Sequence, residues 1–176
     1  MNKMLKRYIP DFYAQNIFDV PVSFFKEHNI KIILSDLDNT LDSYKILIPS
    51  SRVVELKNKL NENNIELVLI SNNKEKRIKP YATRLGVKYL YSSGKPFGKR
   101  ILKFIEKNGF SKENILMVGD QLMTDVLASK RVNVKMLLTE PIVKEDQPCT
   151  RINRIRDKFV RKKLKKRQIL QNLEVK

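Results

Sequence analysis

Short apolar runs alternate along this chain with longer segments in which apolar residues recur at helical spacing. The runs predict strands over residues 31–36, 65–71, 88–91, 114–119 and 134–138. The intervening segments predict helices over residues 50–63, 74–85, 97–108 and 122–130, with Ser50 or Ser51 and Ser111 as candidate N-caps. This alternation is typical of a parallel α/β sheet, and 176 residues with 41% hydrophobic content suit one domain with one core.

Four polar motifs follow four of the predicted strands. They are Asp36-Leu37-Asp38-Asn39-Thr40, Ser71-Asn72-Asn73, Gly94-Lys95-Pro96 and the stretch from Gly119 to Asp125. Open α/β sheets bind their ligands at the carboxyl ends of strands. Each motif alone has an ordinary structural explanation, such as a helix N-cap or a solvated lysine. Four of them in order at strand ends indicate a single ligand site.

The first motif carries the most chemical information. Asp36 and Asp38 are delivered by a buried strand, and two such carboxylates can converge on one divalent cation while one of them attacks phosphorus. An EF-hand calcium loop has the same initial spacing. That loop needs Gly at its sixth position and Glu at its twelfth, where this chain has Leu41 and Leu47. The calcium loop is therefore excluded, and phosphoryl transfer is the leading hypothesis.

The four motifs together resemble those of the haloacid dehalogenase (HAD) superfamily of aspartate-nucleophile phosphatases. More narrowly, the chain resembles the YqeG-type subclass IIIA phosphatases, which are related to mitochondrial and plastid phosphatidylglycerophosphate phosphatases. The resemblance runs from about Met4 to about Arg167 and includes Tyr8-Ile9-Pro10-Asp11 and Thr150-Arg151-Ile152-Asn153-Arg154. It implies a HAD-like, Rossmann-type parallel sheet with helices on both faces, and the short spacings leave no room for a large cap domain.

The resemblance also implies catalytic roles. Asp36 is expected to attack the phosphorus, and Asp38 to protonate the leaving oxygen and then deprotonate the hydrolytic water. Ser71 is expected to bind the transferring phosphoryl group, and Lys95 to neutralise negative charge. Thr40 is expected to shape the loop on the substrate side, and Asn72 to make a weaker phosphate contact.

Magnesium is the cofactor that this chemistry predicts. A bare cluster of carboxylates would repel a phosphate dianion, so a Mg²⁺ ion and Lys95 are needed to neutralise it. By the family pattern, the ligands are a carboxylate oxygen of Asp36, the backbone carbonyl of Asp38, and Asp120. Asp125 is expected nearby as a further ligand, as the holder of a bound water, or as the partner of Lys95.

The basic residues give the chain a net charge of +17, and they are partly segregated toward the C-terminus. Residues 151–176 hold eleven of the 36 Lys and Arg against two acidic residues, so this segment carries +9. Apolar residues recur there at helical spacing, which predicts a basic amphipathic helix. Such a helix either lies on an anionic membrane surface or packs its apolar stripe on the domain.

These features predict one phosphatase domain over residues 1–150 and a basic amphipathic tail over residues 151–176. The N-terminal segment, residues 1–30, packs on or beside the domain. It contains six of the 14 aromatic residues, namely Tyr8, Phe12, Tyr13, Phe18, Phe24 and Phe25. These rings either anchor at lipid headgroups or cover one side of the sheet, and the second interpretation is favoured.

The cysteine and histidine content limits which cellular compartment and which catalytic groups the sequence predicts. Cys149 is the only cysteine, which fits a reducing cytoplasm. His28 is the only histidine and is expected at a helix end, so acid–base catalysis by histidine is not predicted. No apolar run approaches the roughly 20 residues that span a bilayer, and the first 30 residues lack a signal-peptide pattern. We expect a cytoplasmic protein, with peripheral contact at the inner face of the cell membrane left open.

Three functions remain open at this point. The first is a peripheral membrane phosphatase that converts phosphatidylglycerophosphate to phosphatidylglycerol in phospholipid biosynthesis. The second is a soluble phosphatase of small molecules or phosphoproteins. The third is a basic RNA- or ribosome-associated protein with a secondary phosphatase site, because the charge of +17 also attracts a phosphate backbone. The expected partner is an anionic phospholipid substrate rather than a nucleic acid, because the tail offers only Phe159 for base stacking.

Overall fold

Six short strands form one parallel sheet. The computed structural model describes residues 3–143 and 151–171. The strands are β1 (Phe12–Ala14), β2 (Ile32–Ser35), β3 (Glu66–Ile70), β4 (Lys88–Leu90), β5 (Ile115–Gly119) and β6 (Lys135–Thr139). They lie in the order β1-β6-β5-β2-β3-β4, and every neighbouring pair is parallel. The strand that leads to Asp36 is therefore central in the sheet.

The described helices connect these strands. They are α1 (Lys3–Lys6), α2 (Val22–Glu27), α3 (Ser51–Asn61), α4 (Glu75–Leu85), α5 (Lys99–Lys107), α6 (Leu127–Val132) and α7 (Arg151–Lys166). A 3₁₀ turn covers Lys112–Asn114, and a π-helical turn covers Leu122–Val126. A parallel strand pair requires a crossover, and these helices supply the crossovers.

The core has two apolar layers, one on each face of the sheet. Leu67 and Leu69 of β3 pack in the layer that contains buried residues of α3 and α4. Val68 and Ile70 of the same strand pack in the layer that contains buried residues of α5, α6 and α7. Successive side chains of a strand point to opposite faces, so a continuous apolar run feeds both layers. The prediction of a parallel α/β sheet with helices on both faces is confirmed, and no large cap interrupts the described ranges.

The structure differs from the sequence prediction at a few elements. Strand β1 was not predicted, because a strand of three residues shows almost no periodicity; it pairs with β6. The helix predicted over 122–130 is in fact a π-helical turn followed by α6. The helix predicted from residue 97 begins at Lys99, after Gly98 with a φ of 77°. Ser50 occupies the N-cap position of α3, but its side chain makes no cap hydrogen bond.

The N-terminal aromatic residues pack within the domain. Phe24 and Phe25 are buried, and the rings of Phe12 and Phe24 meet edge to face with centroids 4.9 Å apart. The His28 ring lies 4.6 Å from the centroids of both Phe12 and Phe24, so it belongs to this aromatic cluster. Phe12, Phe18, Phe24 and Phe25 pack in the layer that contains α3 and α4, whereas Tyr8 and Tyr13 pack in the layer that contains α5, α6 and α7. The favoured interpretation is right that these rings pack on the sheet, but they are divided between its two faces. Cys149 lies outside the described residues.

Helix α7 packs on the domain in an unexpected orientation. Its buried residues include Leu164 but also the charged residues Asp157 and Arg161, while Ile155 and Phe159 are exposed. The sequence pattern left open whether the apolar stripe lies on a membrane or packs on the domain, and the structure packs only part of it, Val160 and Leu164. In the described part of the chain, no helix combines the length and the apolar character that crossing a membrane demands.

Candidate active site

Lys95 joins two buried carboxylates at the carboxyl edge of the sheet. Asp36 directly follows β2, and its backbone N–H donates to the Val118 carbonyl at 2.8 Å. The Lys95 ammonium lies 2.6 Å from Asp36 Oδ1 and 2.7 Å from Asp125 Oδ1. It also donates to the Ile70 carbonyl at 3.3 Å. The ammonium therefore holds the end of β2 against the turn that follows β5.

Asn72 clamps the loop that carries Lys95. Its side-chain oxygen accepts hydrogen bonds from the Lys95 N–H at 2.9 Å and from the Ser93 hydroxyl at 2.8 Å. Its side-chain amide donates to the Lys95 carbonyl at 2.8 Å. Two of these contacts hold the backbone N–H and carbonyl of Lys95, and the third holds the side chain of Ser93 in the same loop. The structure therefore gives Asn72 a positioning role. Its predicted phosphate contact stays a prediction.

Ser71 lies buried at the end of β3, next to this clamp. Its hydroxyl oxygen accepts the Asn73 N–H at 3.0 Å. That contact leaves the hydroxyl proton available to donate to a phosphoryl oxygen, which is the role predicted for Ser71.

Asp38 is held by two donors. The Asn73 side-chain amide donates to Asp38 Oδ2 at 2.5 Å, and Arg77 Nη2 donates to Oδ1 at 2.6 Å. The Arg77 guanidinium lies 5.7 Å from the ring centroid of Tyr81, whose hydroxyl donates to Asp42 at 2.5 Å. This chain of contacts ties the loop after β2 to α4 and fixes the orientation of the Asp38 carboxyl group.

Asp120 is paired with a residue of the C-terminal helix. Arg154 Nη2 lies 2.6 Å from Asp120 Oδ2, and the Thr40 hydroxyl donates to Oδ1 at 3.3 Å. The Asp120 side chain is fully buried. The sequence pattern groups Arg154 with the basic residues of the tail, whereas the structure places it in the candidate site.

Two further residues of α7 fasten this helix to the loop after β5. The Asp157 carboxylate accepts the backbone N–H groups of Leu122 and Met123 at the start of the π-helical turn. Arg161 Nη2 donates to the Asp120 carbonyl at 2.7 Å. Buried charges need partners of this kind, so these contacts explain why Asp157 and Arg161 face the domain. The C-terminal helix is thus a wall of the candidate site.

Gly119 allows Asp125 to approach the sheet. A Cβ atom added at Gly119 would lie 2.3 Å from Asp125 Cγ, which is closer than any van der Waals contact. Asp125 Oδ2 accepts the Gln121 N–H at 3.1 Å, so the carboxylate is held inside the turn. π-helical turns often occur at functional sites, and this one places the partner of Lys95.

We therefore expect Gly119→Ala to displace Asp125 and to lower phosphatase turnover about 100-fold, because a shift of about 1 Å at a catalytic group has that cost. Phosphate release from a soluble aryl phosphate measures the effect. Gly109→Ala is the control for a destabilising glycine substitution away from the site: a Cβ atom there meets nothing within 4 Å, but the φ of 66° strains Ala, so stability should fall while turnover per folded molecule stays unchanged. Equal turnover in Gly119→Ala and wild-type protein would show that Asp125 has room to move.

Burial dominates the electrostatics of the site. Burial raises the pKa of Asp36, the Lys95 ammonium opposes the rise, and the Asp125 and Asp120 carboxylates add to it. Burial likewise raises the pKa of Asp120, and the Arg154 guanidinium offsets part of the rise, so that the pKa is about 7. For Lys95, burial works to lower the pKa, but Asp125 and Asp36 outweigh burial and raise it. Lys95 therefore remains an ammonium at neutral pH.

The predicted metal ligands supply the right chemistry for Mg²⁺. Asp36, Asp120 and Asp125 are buried carboxylates, and such hard oxygen donors suit this ion. Among the described residues, no three acidic, His or Cys side chains already surround a common point. Each carboxylate instead faces a cation of the chain, Lys95 or Arg154. The donor set therefore fits Mg²⁺, and the assignment of these ligands stays a prediction.

The structure brings most of the predicted residues into contact with one another. The Lys95 ammonium contacts Asp36 and Asp125, and the Lys95 backbone contacts Asn72. Thr40 contacts Asp120. Asp38 stands with Asn73 and Arg77, neither of which was assigned a role. Arg154 was also missed, although one signal was available. Asp157 is the only acid between residues 151 and 167, and an isolated acid in a basic helix indicates an internal contact.

Comparison with known proteins identifies the family. A family model of haloacid dehalogenase-like hydrolases matches residues 3–139. The chain is 34% identical over 169 residues to a Bacillus subtilis (strain 168) protein named probable phosphatase YqeG, with 96% of this chain and 98% of the relative covered. These two matches confirm the resemblance seen in the four motifs.

A solved structure with low sequence identity shares the fold. An uncharacterized protein from Listeria monocytogenes serotype 4b gives a TM-score of 0.54 at 15% identity, covering 68% of this chain and 85% of that chain. The cobalt-bound deoxy-D-mannose-octulosonate 8-phosphate phosphatase from Haemophilus influenzae gives 0.49 at 14% identity, covering 66% of this chain and 81% of that chain. From the family match and the close relative, the chain belongs to the haloacid dehalogenase-like hydrolases and is a phosphatase of that family.

Proposed function

We propose that this phosphatase is magnesium-dependent, works through an aspartyl-phosphate intermediate on Asp36, and hydrolyses phosphatidylglycerophosphate. The observation that carries the chemistry is the buried Lys95 ammonium between Asp36 and Asp125, with Asp38 two residues from the nucleophile. Lys95 contacts one carboxylate oxygen of Asp36, and the other oxygen is the attacking atom.

The proposed reaction assigns one step to each of these side chains. A carboxylate oxygen of Asp36 attacks phosphorus, the ester P–O bond breaks, and Asp38 gives a proton to the leaving oxygen. Asp38 then takes a proton from water, which attacks the phosphorus of the aspartyl phosphate. The bond between Asp36 and phosphorus breaks, and inorganic phosphate leaves. Arg77 and Asn73 keep the Asp38 carboxyl group in position through both steps.

The proposed metal ligands are Asp36, the backbone carbonyl of Asp38, Asp120 and Asp125. A bound Mg²⁺ ion would neutralise charge on the phosphoryl oxygens and orient the substrate. Thr40 supports Asp120 through its hydroxyl contact, and Ser71 donates to a phosphoryl oxygen. In the metal-free protein Arg154 and Lys95 keep the buried carboxylates compensated.

The phospholipid substrate is supported by the resemblance to phosphatidylglycerophosphate phosphatases and by the open site. Small soluble substrates often need a lid to exclude water, and the described residues form no large cap. A phosphate presented at a membrane surface needs an open mouth instead. Peripheral contact with an anionic membrane is part of the proposal. The soluble phosphatase remains the alternative.

A side-by-side assay decides between these substrates. Phosphate release is measured on phosphatidylglycerophosphate in mixed micelles and on a panel of soluble sugar, nucleotide and phosphopeptide monoesters. We expect the highest kcat/KM on the phospholipid. A higher kcat/KM on any soluble ester would reject the phospholipid and leave the chemistry of Asp36 intact.

Proton competition gives a test of the metal site that does not rely on turnover. We expect the affinity of the protein for Mg²⁺ to fall at least about tenfold from pH 8 to pH 6, because Asp120, with a pKa of about 7, and Asp36, whose pKa is also raised, must both lose a proton to bind the ion. Isothermal titration calorimetry measures the affinity and the released protons. Asp120→Asn should bind more weakly and with a smaller pH dependence, which leaves the contribution of Asp36. Equal affinity at both pH values in the wild-type protein would exclude Asp120 as a ligand.

A further inference from the structure

Most of the exposed large apolar side chains belong to two segments of the chain. In the part of the chain that the structure describes, eight large apolar side chains are exposed: Ile46, Leu47, Ile48, Val54, Tyr91, Phe97, Ile155 and Phe159. The first six lie in the segments that follow β2 and β4. A parallel sheet brings the ends of these two strands to the same edge, which is the edge that holds Asp36 and Lys95. We call residues 46–48, Tyr91 and Phe97 the apolar rim.

The apolar rim belongs to two segments that leave the same edge of the sheet. Strands β2 and β4 are separated only by β3, so their ends lie about 10 Å apart at the usual strand spacing. Leu47 is 69% exposed and Phe97 is 75% exposed. The loop with Leu47 is anchored at its base, because Asp42 accepts the Ser50 N–H at 3.1 Å. Exposed patches of this kind mark interaction sites on soluble domains.

The charged residues of the rim segments are all basic. Residues 43–54 and 91–105 contain Lys and Arg but no Asp or Glu. The Arg131 guanidinium lies 5.5 Å from the Phe97 ring centroid, and the Arg100 guanidinium lies 5.6 Å from the Tyr91 ring centroid. Apolar side chains beside cations match an anionic membrane surface, where the rings enter the interface and the cations meet lipid phosphates.

We propose that the apolar rim docks the protein on an anionic phospholipid bilayer, with Leu47 and Phe97 in the headgroup region. The proposal rests on the phospholipid substrate and deepens it, because docking through the rim turns the open site toward the membrane. It also moves the membrane contact away from α7, whose Asp157 and Arg161 face the domain. A lipid phosphate then reaches Asp36 without the lipid leaving the bilayer.

Tryptophan fluorescence tests the orientation directly, because the chain contains no Trp. The variants are Leu47→Trp and Phe97→Trp, and Phe159→Trp is the matched control on α7. Phe159 is 61% exposed and also has a cation beside its ring, with Lys163 Nζ 4.1 Å from the centroid. On phosphatidylglycerol vesicles we expect a blue shift and quenching by acyl-chain-brominated lipid for the two rim variants only. A signal confined to Phe159→Trp would place the docking surface on α7 and overturn the proposal.

Vesicle partition gives an independent measurement. We expect Leu47→Ser/Phe97→Ser to bind phosphatidylglycerol vesicles about tenfold more weakly than wild type, and Phe159→Ser to bind equally. All three proteins should hydrolyse a soluble aryl phosphate at the same rate, which verifies that they are folded. Unchanged partition of the double variant, or no binding of wild type, would overturn the proposal.

The two proposals fail in different assays. The vesicles contain no phosphatidylglycerophosphate, so partition reports on the rim whatever the substrate is. Hydrolysis of phosphatidylglycerophosphate in micelles together with unchanged vesicle partition of the double variant would reject the rim and keep the substrate. If light scattering showed a wild-type dimer that the double variant dissolves, with vesicle partition unaffected, the rim would be a contact between two copies and the membrane proposal would be wrong.

Discussion

Asp36→Asn protein is expected to release no phosphate above background, a loss of about 10⁴-fold or more in kcat. An amide is a poor nucleophile. Among the described residues, Asp125 is the other carboxylate that contacts the Lys95 ammonium, and it follows β5 rather than β2. The substitution preserves size, and Asn can still accept a hydrogen bond from the Lys95 ammonium. Phosphate release under saturating Mg²⁺ measures the loss, and thermal unfolding verifies the fold.

Asp11→Asn is the control for this experiment, because Asp11 precedes β1 at the opposite edge of the sheet, where it accepts the Met136 N–H and the Lys130 ammonium. It should retain turnover. Asp38→Asn separates the two chemical steps, because a protein that lacks the proton donor and base should accumulate phosphorylated Asp36. Intact-protein mass spectrometry detects the added phosphoryl group, and hydroxylamine removes it. Turnover in Asp36→Asn protein at the wild-type rate would refute the nucleophile.

The positions of the catalytic motifs were predictable because they are local. Each motif follows an apolar run directly, so finding the strand also finds the edge of the sheet at which the motif lies. Residues 36 and 95 are far apart in sequence, yet both follow strands of one parallel sheet, and their contact follows from that topology. The motif spacing also predicted correctly that no large cap would be present.

Long-range side-chain pairs were not predictable in this way. Arg77 lies among several basic residues of α4, and only the rotation of that helix selects Arg77 to bind Asp38. Arg154 looks like any other cation of the tail until α7 is docked. The docking depends on Asp157 and Arg161, and a pattern built on apolar spacing ignores buried charges. The sequence therefore predicted the helix and part of its packed face, Val160 and Leu164, but not the buried charges beside them.

Because α7 packs against the candidate site, deletion of the C-terminal segment is not a clean test of membrane binding. Deleting residues 151–176 removes much of the basic charge, and a loss of membrane binding would suggest that the tail binds lipid. The deletion also removes the partner of the Asp120 carboxylate and the donor to its carbonyl. Loss of function in such a deletion would therefore reflect a damaged active site. Single substitutions on the surface are the sound alternative.

Lys95→Met is expected to lower the free energy of unfolding of the metal-free protein by about 3 kcal/mol and to lower kcat about 10³-fold. The ammonium is buried between two carboxylates, and removing it leaves both of them without that cation. The exposed Lys99→Met is the matched control and should change neither quantity. Denaturant titration in EDTA measures the stability, and phosphate release measures kcat. Wild-type stability in Lys95→Met would mean that these carboxylates are compensated without Lys95.

A double-mutant cycle then isolates the contact between Lys95 and Asp36. If the loss in Lys95→Met comes from an uncompensated carboxylate, neutralising that carboxylate should recover part of it. We therefore expect Asp36→Asn/Lys95→Met to lose about 1–2 kcal/mol less than the sum of the two single variants. The remaining loss belongs to Asp125, which keeps its charge in the double variant. Additive losses would show that the 2.6 Å contact contributes nothing to stability and that the loss in Lys95→Met comes from Asp125.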